Sequence, residues 1–383
     1  MKIFILAGEA SGDRLGAALM AGLKALADVK FIGIGGPLMQ DEGLDSLFPM
    51  DELSVMGITE VLPKYRHLKR RIRQTSDAVL ACDADVLITI DSPDFSLRVA
   101  GLVKARKDIR TVHYVAPSVW AWRAGRAAKM AKVIDHVLAL LPFEPPYMRA
   151  AGMDCDFVGH PVVAEPQASG AEVVQFRARH DLGDAHILLV LPGSRMGEVA
   201  RLGPIFGRAL RPVLAQYPDL RLIVPTTGHV APVLREVSAD WPAAPLILDP
   251  RHMKTGTYKF EKMAAFGAAS GALAASGTVS LELAASATPM VIAYDVSWVS
   301  RQIIAMMLKI DTLTLVNLVS ETHAIPECNG KHCNPPEISA ALLRMLDTPG
   351  AQMAAMDDTM LRLGRGGEAP GLRAARAVLA GLQ

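Results

Sequence analysis

Arg195 and Asp91 are the two side chains whose surroundings in the sequence point most directly to chemistry. Arg195 closes the turn Pro192-Gly193-Ser194-Arg195, which follows an apolar run, His186–Leu191, with the composition of a buried strand. Beyond the turn, Glu198 opens a helical pattern with Val199, Leu202, Ile205, Phe206 and Leu210 on one face. A strand that passes through a glycine turn into a helix N-terminus presents unpaired backbone N–H groups to an anion. The guanidinium adds a planar fork that matches phosphate oxygens. An ordinary turn with a surface arginine fits the same residues. Asp91 follows the apolar run Val86–Ile90 and precedes Ser92-Pro93-Asp94-Phe95. A carboxylate released at a strand end is placed to take a proton from a hydroxyl nucleophile, and equally to bond nearby backbone amides.

These residues need elements to hold them, and the periodicity supplies them. Lys2–Ala7 reads as a strand, followed by Gly8-Glu9-Ala10-Ser11-Gly12-Asp13 and a helix to Leu26. That loop lacks both the dinucleotide glycine triplet and the phosphate-loop Lys-Ser/Thr. Gly8, Glu9, Ser11, Gly12 and Asp13 are candidates for a ligand site at the first strand's end, and Ser11 or Asp13 also suits a helix cap. Further strands are expected at Phe31–Ile34, Thr111–Val115, His136–Leu141 and Asp156–Val158. Ser118 and Trp120 lie in the loop after Thr111–Val115. Ala164–Ala171 is the linker candidate. The grammar then restarts with strands at Arg221–Val224, Pro245–Leu248, Gly271–Ala275 and Pro289–Tyr294. Leu313–Pro326 reads as loop and Pro336–Gln383 as helical. Strands alternating with helices predict parallel, doubly wound α/β domains. The expected division is residues 1–165, residues 172–335, and C-terminal helices 336–383.

At 383 residues, 51% hydrophobic and 21% charged, the chain is large enough for two cores and unlike a disordered one. A net charge of +1 leaves nucleic-acid binding without support and demands a local patch for any membrane contact. One such patch exists. Lys64, Arg66, Lys69, Arg70, Arg71 and Arg73 follow the apolar segment Leu53–Leu62, which suits an anionic membrane surface as well as a solvated helix face. Four scattered cysteines suit a reducing compartment, and Cys328, His332 and Cys333 lack a second pair for zinc. No signal peptide or membrane span is expected, so the location expected is cytoplasmic.

Ser276-Gly277-Thr278-Val279-Ser280-Leu281-Glu282 repeats the strand–turn–helix motif of the Arg195 turn. Gly277 admits close backbone approach, Thr278 and Ser280 offer hydroxyls, and Glu282 can accept both hydroxyls of a ribose, or complete a capping box. Two Rossmann-like domains facing across a cleft, the second with two anion turns, is the GT-B glycosyltransferase architecture. The blocks AGEASGD (Ala7–Asp13), GIGGP (Gly33–Pro37), MGITEVL (Met56–Leu62), IDSPDF (Ile90–Phe95), HYVAPSVWAWR (His113–Arg123), LPFE (Leu141–Glu144), FVGHP (Phe157–Pro161), LPGSR (Leu191–Arg195) and SGTVSLE (Ser276–Glu282) resemble those of the lipid-A-disaccharide synthases, glycosyltransferase family 19.

The resemblance implies an inverting transferase without a metal or other cofactor. It would join UDP-2,3-diacylglucosamine to 2,3-diacylglucosamine 1-phosphate (lipid X), giving the β(1→6) disaccharide 1-phosphate and UDP. It places Asp91 and Arg195 at positions important for activity. Ser194, Arg195, Glu198, Ser276, Gly277, Thr278, Ser280, Glu282 and Asn317 are then the expected UDP contacts. Val316 departs from the proline frequent before that asparagine in the family. Both lipid substrates imply peripheral contact with the inner membrane, and the resemblance implies a homodimer in which the helices of 336–383 pack on the first domain or exchange between subunits. Asp91, Glu9 and Asp13 are the pool for the general base. A UDP-GlcNAc 2-epimerase-like isomerase and a non-catalytic nucleotide-sugar binder remain the alternatives at this point.

Overall fold

The structure is a computed structural model describing residues 1–53, 58–121, 125–254, 256–295 and 310–382, with the backbone alone for 58–64. It divides into two compact units, residues 1–164 with 363–383, and residues 165–362. The division falls between Ala164 and Glu165, and the helices of 336–362 belong to the second unit.

In the first unit the strands β1 (Lys2–Ala7), β2 (Lys30–Ile34), β3 (Val86–Ile90), β4 (Arg110–Tyr114), β5 (His136–Ala139) and β6 (Asp154–Phe157) form one sheet. Its order is β2-β1-β3-β4-β5-β6, and every pair is parallel. All five residues of β3 and the last five of β1 are buried, as strands covered by helices on both faces require. The helices are α1 (Ala10–Leu26), α2 (Pro37–Asp41), α3 (Ile58–Ala81), α4 (Pro93–Lys104), α5 (Gly125–Met130) and α6 (Pro145–Ala150). The apolar segment expected at Leu53–Leu62 lies largely outside the described residues, which here omit 54–57 and the side chains of 58–64.

The second unit repeats the plan with β7 (Ile187–Leu191), β8 (Arg221–Pro225), β9 (Leu246–Leu248), β10 (Gly271–Ala274), β11 (Met290–Tyr294) and β12 (Glu327–Asn329). The order is β12-β11-β10-β7-β8-β9, again parallel throughout. The helices α7 (Gly170–Arg179), α8 (Met196–Gln216), α9 (Ala231–Ser238), α10 (Thr257–Ala268) and α11 (Val279–Ala285) connect these strands. Leu313–Pro326, expected as loop, contains the helix α12 (Leu315–Ser320). Its short sequence carries little helical signal of its own; burial of Val316 and Val319 decides the matter. Helix α13 (Pro335–Asp347) precedes α14 (Gly350–Arg362), whose Thr359 hydroxyl and Arg362 guanidinium donate to the carbonyls of Val316 and Val319 at 3.2 and 3.0 Å.

The chain then returns to the first unit as α15 (Pro370–Ala380), which lies along α1. Glycines allow that close crossing. A Cβ on Gly371 would stand 2.5 Å from the Ala18 carbonyl oxygen, and one on Gly22 would stand 2.7 Å from the carbonyl oxygen of Gly371. Arg373 fixes the approach, with its guanidinium 5.0 Å from the Phe157 ring centroid and 2.8 Å from the Phe157 carbonyl oxygen.

Candidate active site

In an open parallel sheet, ligands bind beyond the carboxyl ends of the strands, where the connection order reverses. In the first unit that point lies between β1 and β3. The loops after these strands carry Glu9, Asp91 and Ser92. Gly8 packs against the second loop so closely that a Cβ there would stand 2.6 Å from Ser92 Oγ. Asp91 and Ser92 have φ of 50° and 45°, a left-handed conformation that L-residues adopt at a cost of roughly 1–2 kcal/mol each. Hydrogen bonds hold them there. The Asp91 N–H donates to the Tyr114 carbonyl at 3.0 Å, and the Ser96 hydroxyl donates to the Asp91 carbonyl at 2.8 Å. Among the described residues the Asp91 carboxylate itself has no hydrogen-bond partner. Val115, just beyond β4, is a third such position with φ of 87°, unusual for a β-branched residue.

Asp13 does not join this group. It is 3% exposed, and its carboxylate accepts from the N–H groups of Gly36, Leu38 and Met39 at 2.9, 3.1 and 3.0 Å. Those are the orphan donors at the start of α2, so Asp13 is a cap for a helix other than its own. This removes it from the pool of bases. Ser11 is exposed in the first turn of α1, Gly12 is packed against Ala7 and Ile90, and Ser118 is exposed. Trp120 is half-buried and its motif continues beyond the described residues at 122–124.

Sequence reasoning passed over Glu144, the last residue of LPFE. It is 4% exposed and accepts hydrogen bonds from the Leu140 and Leu141 N–H groups and from Trp120 Nε1 at 3.2, 3.0 and 3.3 Å. The Trp120 ring also meets Phe143 edge-on at 5.1 Å, so Glu144 ties the loop after β4 to the loop after β5. Burial outweighs the three donors and pushes its carboxyl up to about 7 from 4.5. A folded pKa above the unfolded one means that the folded unit holds the extra proton between those values. Stability therefore falls as pH rises from about 4.5 to 7, by up to about 3 kcal/mol, and stays reduced above that. Thermal melts from pH 5 to 8 should show this slope, and Glu144→Gln should flatten it. An unchanged slope would assign the pH dependence to other groups.

The six cations of the expected membrane patch do not form one surface. Arg71 is 17% exposed at its side chain and engages Glu52 through two nitrogens at 2.7 and 2.6 Å, with its guanidinium 4.2 Å from the Phe48 ring centroid. It braces the turn Met50–Glu52, and together with His67 it holds the Glu52 carboxyl below its usual range. Arg70 bonds His67 at 3.0 Å. Arg66 is exposed, and the Lys64 side chain lies outside those described. Lys69 and Arg73 face elsewhere. With Tyr65, Leu68 and Ile72 they form one stripe of α3, at spacings of three and four residues. That stripe faces Phe95, Arg98 and Leu102 of α4 across a cavity of about 700 Å³, which reaches Glu9, Ser92 and Asp94.

In the second unit the order reverses between β7 and β10, and the two anion turns follow those strands. Gly193 has φ of 119°, and a Cβ there would stand 2.6 Å from Glu198 Oε2, so both its conformation and its contact require glycine. Arg195 occupies the N-cap position of α8. Its guanidinium donates to Glu198 Oε1 at 2.9 Å, while the Ser194 N–H donates to Glu198 Oε2 at 3.2 Å. The carboxylate thus lies over the turn where an anion was expected. After β10, Gly277 and Thr278 are exposed, whereas Ser280 is 1% exposed and its hydroxyl donates to the Gly277 carbonyl at 2.9 Å. The Ser276 hydroxyl donates to the Leu313 carbonyl at 3.4 Å. Glu282 is paired with Lys262 at 2.5 Å through one oxygen, leaving its other oxygen for a ligand.

Asn317, expected among the UDP contacts, lies in α12. It is 2% exposed; its amide donates to the Ile325 carbonyl and to Glu327, and its oxygen accepts from the Ile325 N–H at 2.9 Å. The side chain stitches the segment before β12 together, and its amide donors are taken up within that segment. Among the described residues no group of three His, Cys, Asp or Glu is placed to hold a metal. No helix among them is long and apolar enough to cross a membrane.

Two parallel α/β units, each with its polar loops at the sheet's reversal point, define a GT-B-type nucleotide-sugar fold. Solved structures agree. The chain aligns over 100% of its length with 99% of UDP-GlcNAc 2-epimerase from Neisseria meningitidis bound to UDP-GlcNAc, at a TM-score of 0.66 and 12% identity. It aligns over 98% of its length with 94% of S. aureus MnaA, solved with UDP, at a TM-score of 0.63 and 12% identity. These likenesses concern the fold alone. Sequence similarity reaches the particular protein family. The lipid-A-disaccharide synthetase model matches residues 3–368. The chain is 64% identical to lipid-A-disaccharide synthase of Ruegeria pomeroyi over 380 residues, covering 99% of this chain and 95% of that one. Against the synthase of Rhodospirillum centenum it is 44% identical over 386 residues, covering 99% and 94%. The chain belongs to the lipid-A-disaccharide synthetase family, and so to the glycosyltransferases that form the lipid A disaccharide.

Proposed function

We propose that the second unit binds UDP-2,3-diacylglucosamine and the first unit binds 2,3-diacylglucosamine 1-phosphate, whose 6-hydroxyl displaces UDP with inversion. The observation that carries this assignment is the placement of Asp91, a carboxylate with no hydrogen-bond partner among the described residues, at the reversal point of one sheet, and of Arg195 at that of the other. Asp91 takes the proton of the 6-hydroxyl as its oxygen bonds to the anomeric carbon. The bond from that carbon to the pyrophosphate breaks, and the electron pair leaves with UDP. Arg195, with the N–H groups at the start of α8, stabilises the charge that grows on the departing phosphate. Gly277 and Thr278 approach the diphosphate, and the open oxygen of Glu282 accepts from the ribose. Asn317 acts at one remove, by fixing its segment.

Glu9 lines the same loop cluster and is the alternative base. Exposed cations of α3, Arg66 and Arg70 among them, support peripheral contact with an anionic inner-membrane surface on the cytoplasmic side. The decisive experiment is mass spectrometry of products after incubation with both lipid substrates. A disaccharide 1-phosphate and one equivalent of UDP are expected. UDP-sugar epimerised at C2, or UDP-sugar recovered unchanged, would overturn the reading.

A further inference from the structure

We infer that the groove between α3 and α4 is the seat of the acceptor's phosphomonoester end, with Lys69, Arg73 and Arg98 as its cationic clamp. The occupant is an amphiphile carrying a terminal phosphate and an acyl chain. This deepens the acceptor assignment proposed above and rests on it.

Charge and shape carry the inference together. Among the described residues Lys69, Arg73 and Arg98 form no ion pair, in contrast with Arg71 on the opposite side of α3. Three cations converging on one groove without a carboxylate partner repel each other, and a dianionic phosphate relieves that repulsion. Between them the walls are apolar. Leu68, Ile72 and Phe95 line the same cavity, which at about 700 Å³ has room for more than a phosphate. A free inorganic anion would leave those walls wet, whereas an acyl chain covers them.

Register orients the ligand. Asp94 lies in the first turn of α4 and Arg98 one turn further on, about 6 Å along the axis. That span is of the order of one pyranose ring. Glu9, Ser92 and Asp94 stand at one part of the groove and would repel the phosphate, yet they accept from sugar hydroxyls. The sugar therefore lies with its hydroxymethyl end toward the carboxylates and its phosphate toward Arg98, which presents the 6-hydroxyl to the Asp91 loop. Lys69 and Arg73 thus serve substrate selection rather than the membrane surface.

The test is calorimetric binding of 2,3-diacylglucosamine 1-phosphate and of its dephosphorylated counterpart to the full chain, comparing wild type with Arg98→Gln and Arg73→Gln. Both side chains are exposed, so folding is little affected. The phosphorylated ligand should bind each variant about tenfold more weakly or worse, the loss expected for one charged hydrogen bond. The dephosphorylated ligand should bind wild type and variants alike, and sedimentation with phosphatidylglycerol vesicles should be unchanged. Equal losses for both ligands, no loss for either, or loss of vesicle binding alone would overturn the clamp. Binding lost with the phosphate while wild type makes no disaccharide would instead sink the transfer reading and leave the site standing.

Discussion

Asp91→Asn should retain UDP binding and the fold while losing about 10²–10⁴-fold in kcat, the range of a positioned general base. Asparagine is the informative replacement because Asp91 sits at φ of 50°. Asn tolerates left-handed backbone at least as well as Asp, so the loop keeps its shape, whereas Ala there adds strain to the loss of the carboxylate. The backbone bonds to Tyr114 and Ser96 involve main-chain atoms of residue 91 and survive the change. Any residual activity should lack the acidic limb of the pH–rate profile, since the group whose protonation produced it is gone. Should the Asn variant approach wild-type turnover while Ala is dead, Asp91 positions the acceptor and Glu9 becomes the base. Asp13 no longer competes for the role, because its three backbone hydrogen bonds would have to break first.

The contrast between Asp91 and Asp13 shows what could be read from the chain. Both follow apolar strands within six residues, and local pattern places both at a carboxyl edge. Their fates differ because the partners of Asp13 come from Gly36, Leu38 and Met39, in the turn after another strand. No periodicity reports that contact. The order β10-β7-β8 in the second sheet is likewise non-local, yet it decides that the turns at Ser194 and Gly277 flank one reversal point. The cations of α3 teach the same lesson from the surface side. Charge density suggested one basic face, but helical spacing separates Arg71 from Lys69 and Arg73, and Glu52 with Phe48 claims the first. The facing stripe with Arg98 on α4 needs the packing of two helices. Asn317 was placed by family resemblance, which locates a residue in the chain without showing where its amide points; here it points inward.

Arg195→Ala should lower kcat/KM by about 10²–10³-fold, comparable with removal of one preorganised donor to a developing oxyanion. The side chain is 68% exposed and contacts little besides Glu198, so its loss leaves the second unit's core untouched. The position of Glu198 sharpens the expectation. Its carboxylate accepts from the Ser194 N–H and from Arg195, and Tyr294 donates to it at 3.4 Å, so it stands over the N-terminus of α8. A pyrophosphate entering the turn competes with it for the same donors, and a guanidinium can bond both anions at once because it has five N–H groups. Lysine cannot, so Arg195→Lys should recover little of the lost rate although the charge is retained. Glu198→Gln removes the resident anion and should lower the KM for the UDP-sugar, because the Ser194 N–H is then freed for the pyrophosphate. Isothermal titration of UDP alongside steady-state kinetics separates binding from transition-state effects: a loss confined to kcat means that Arg195 acts on the departing phosphate, and a loss confined to UDP affinity means that it only holds the ground state. Activity of Arg195→Ala within a few fold of wild type would remove the residue from the site and return the turn to a plain helix start capped by Glu198.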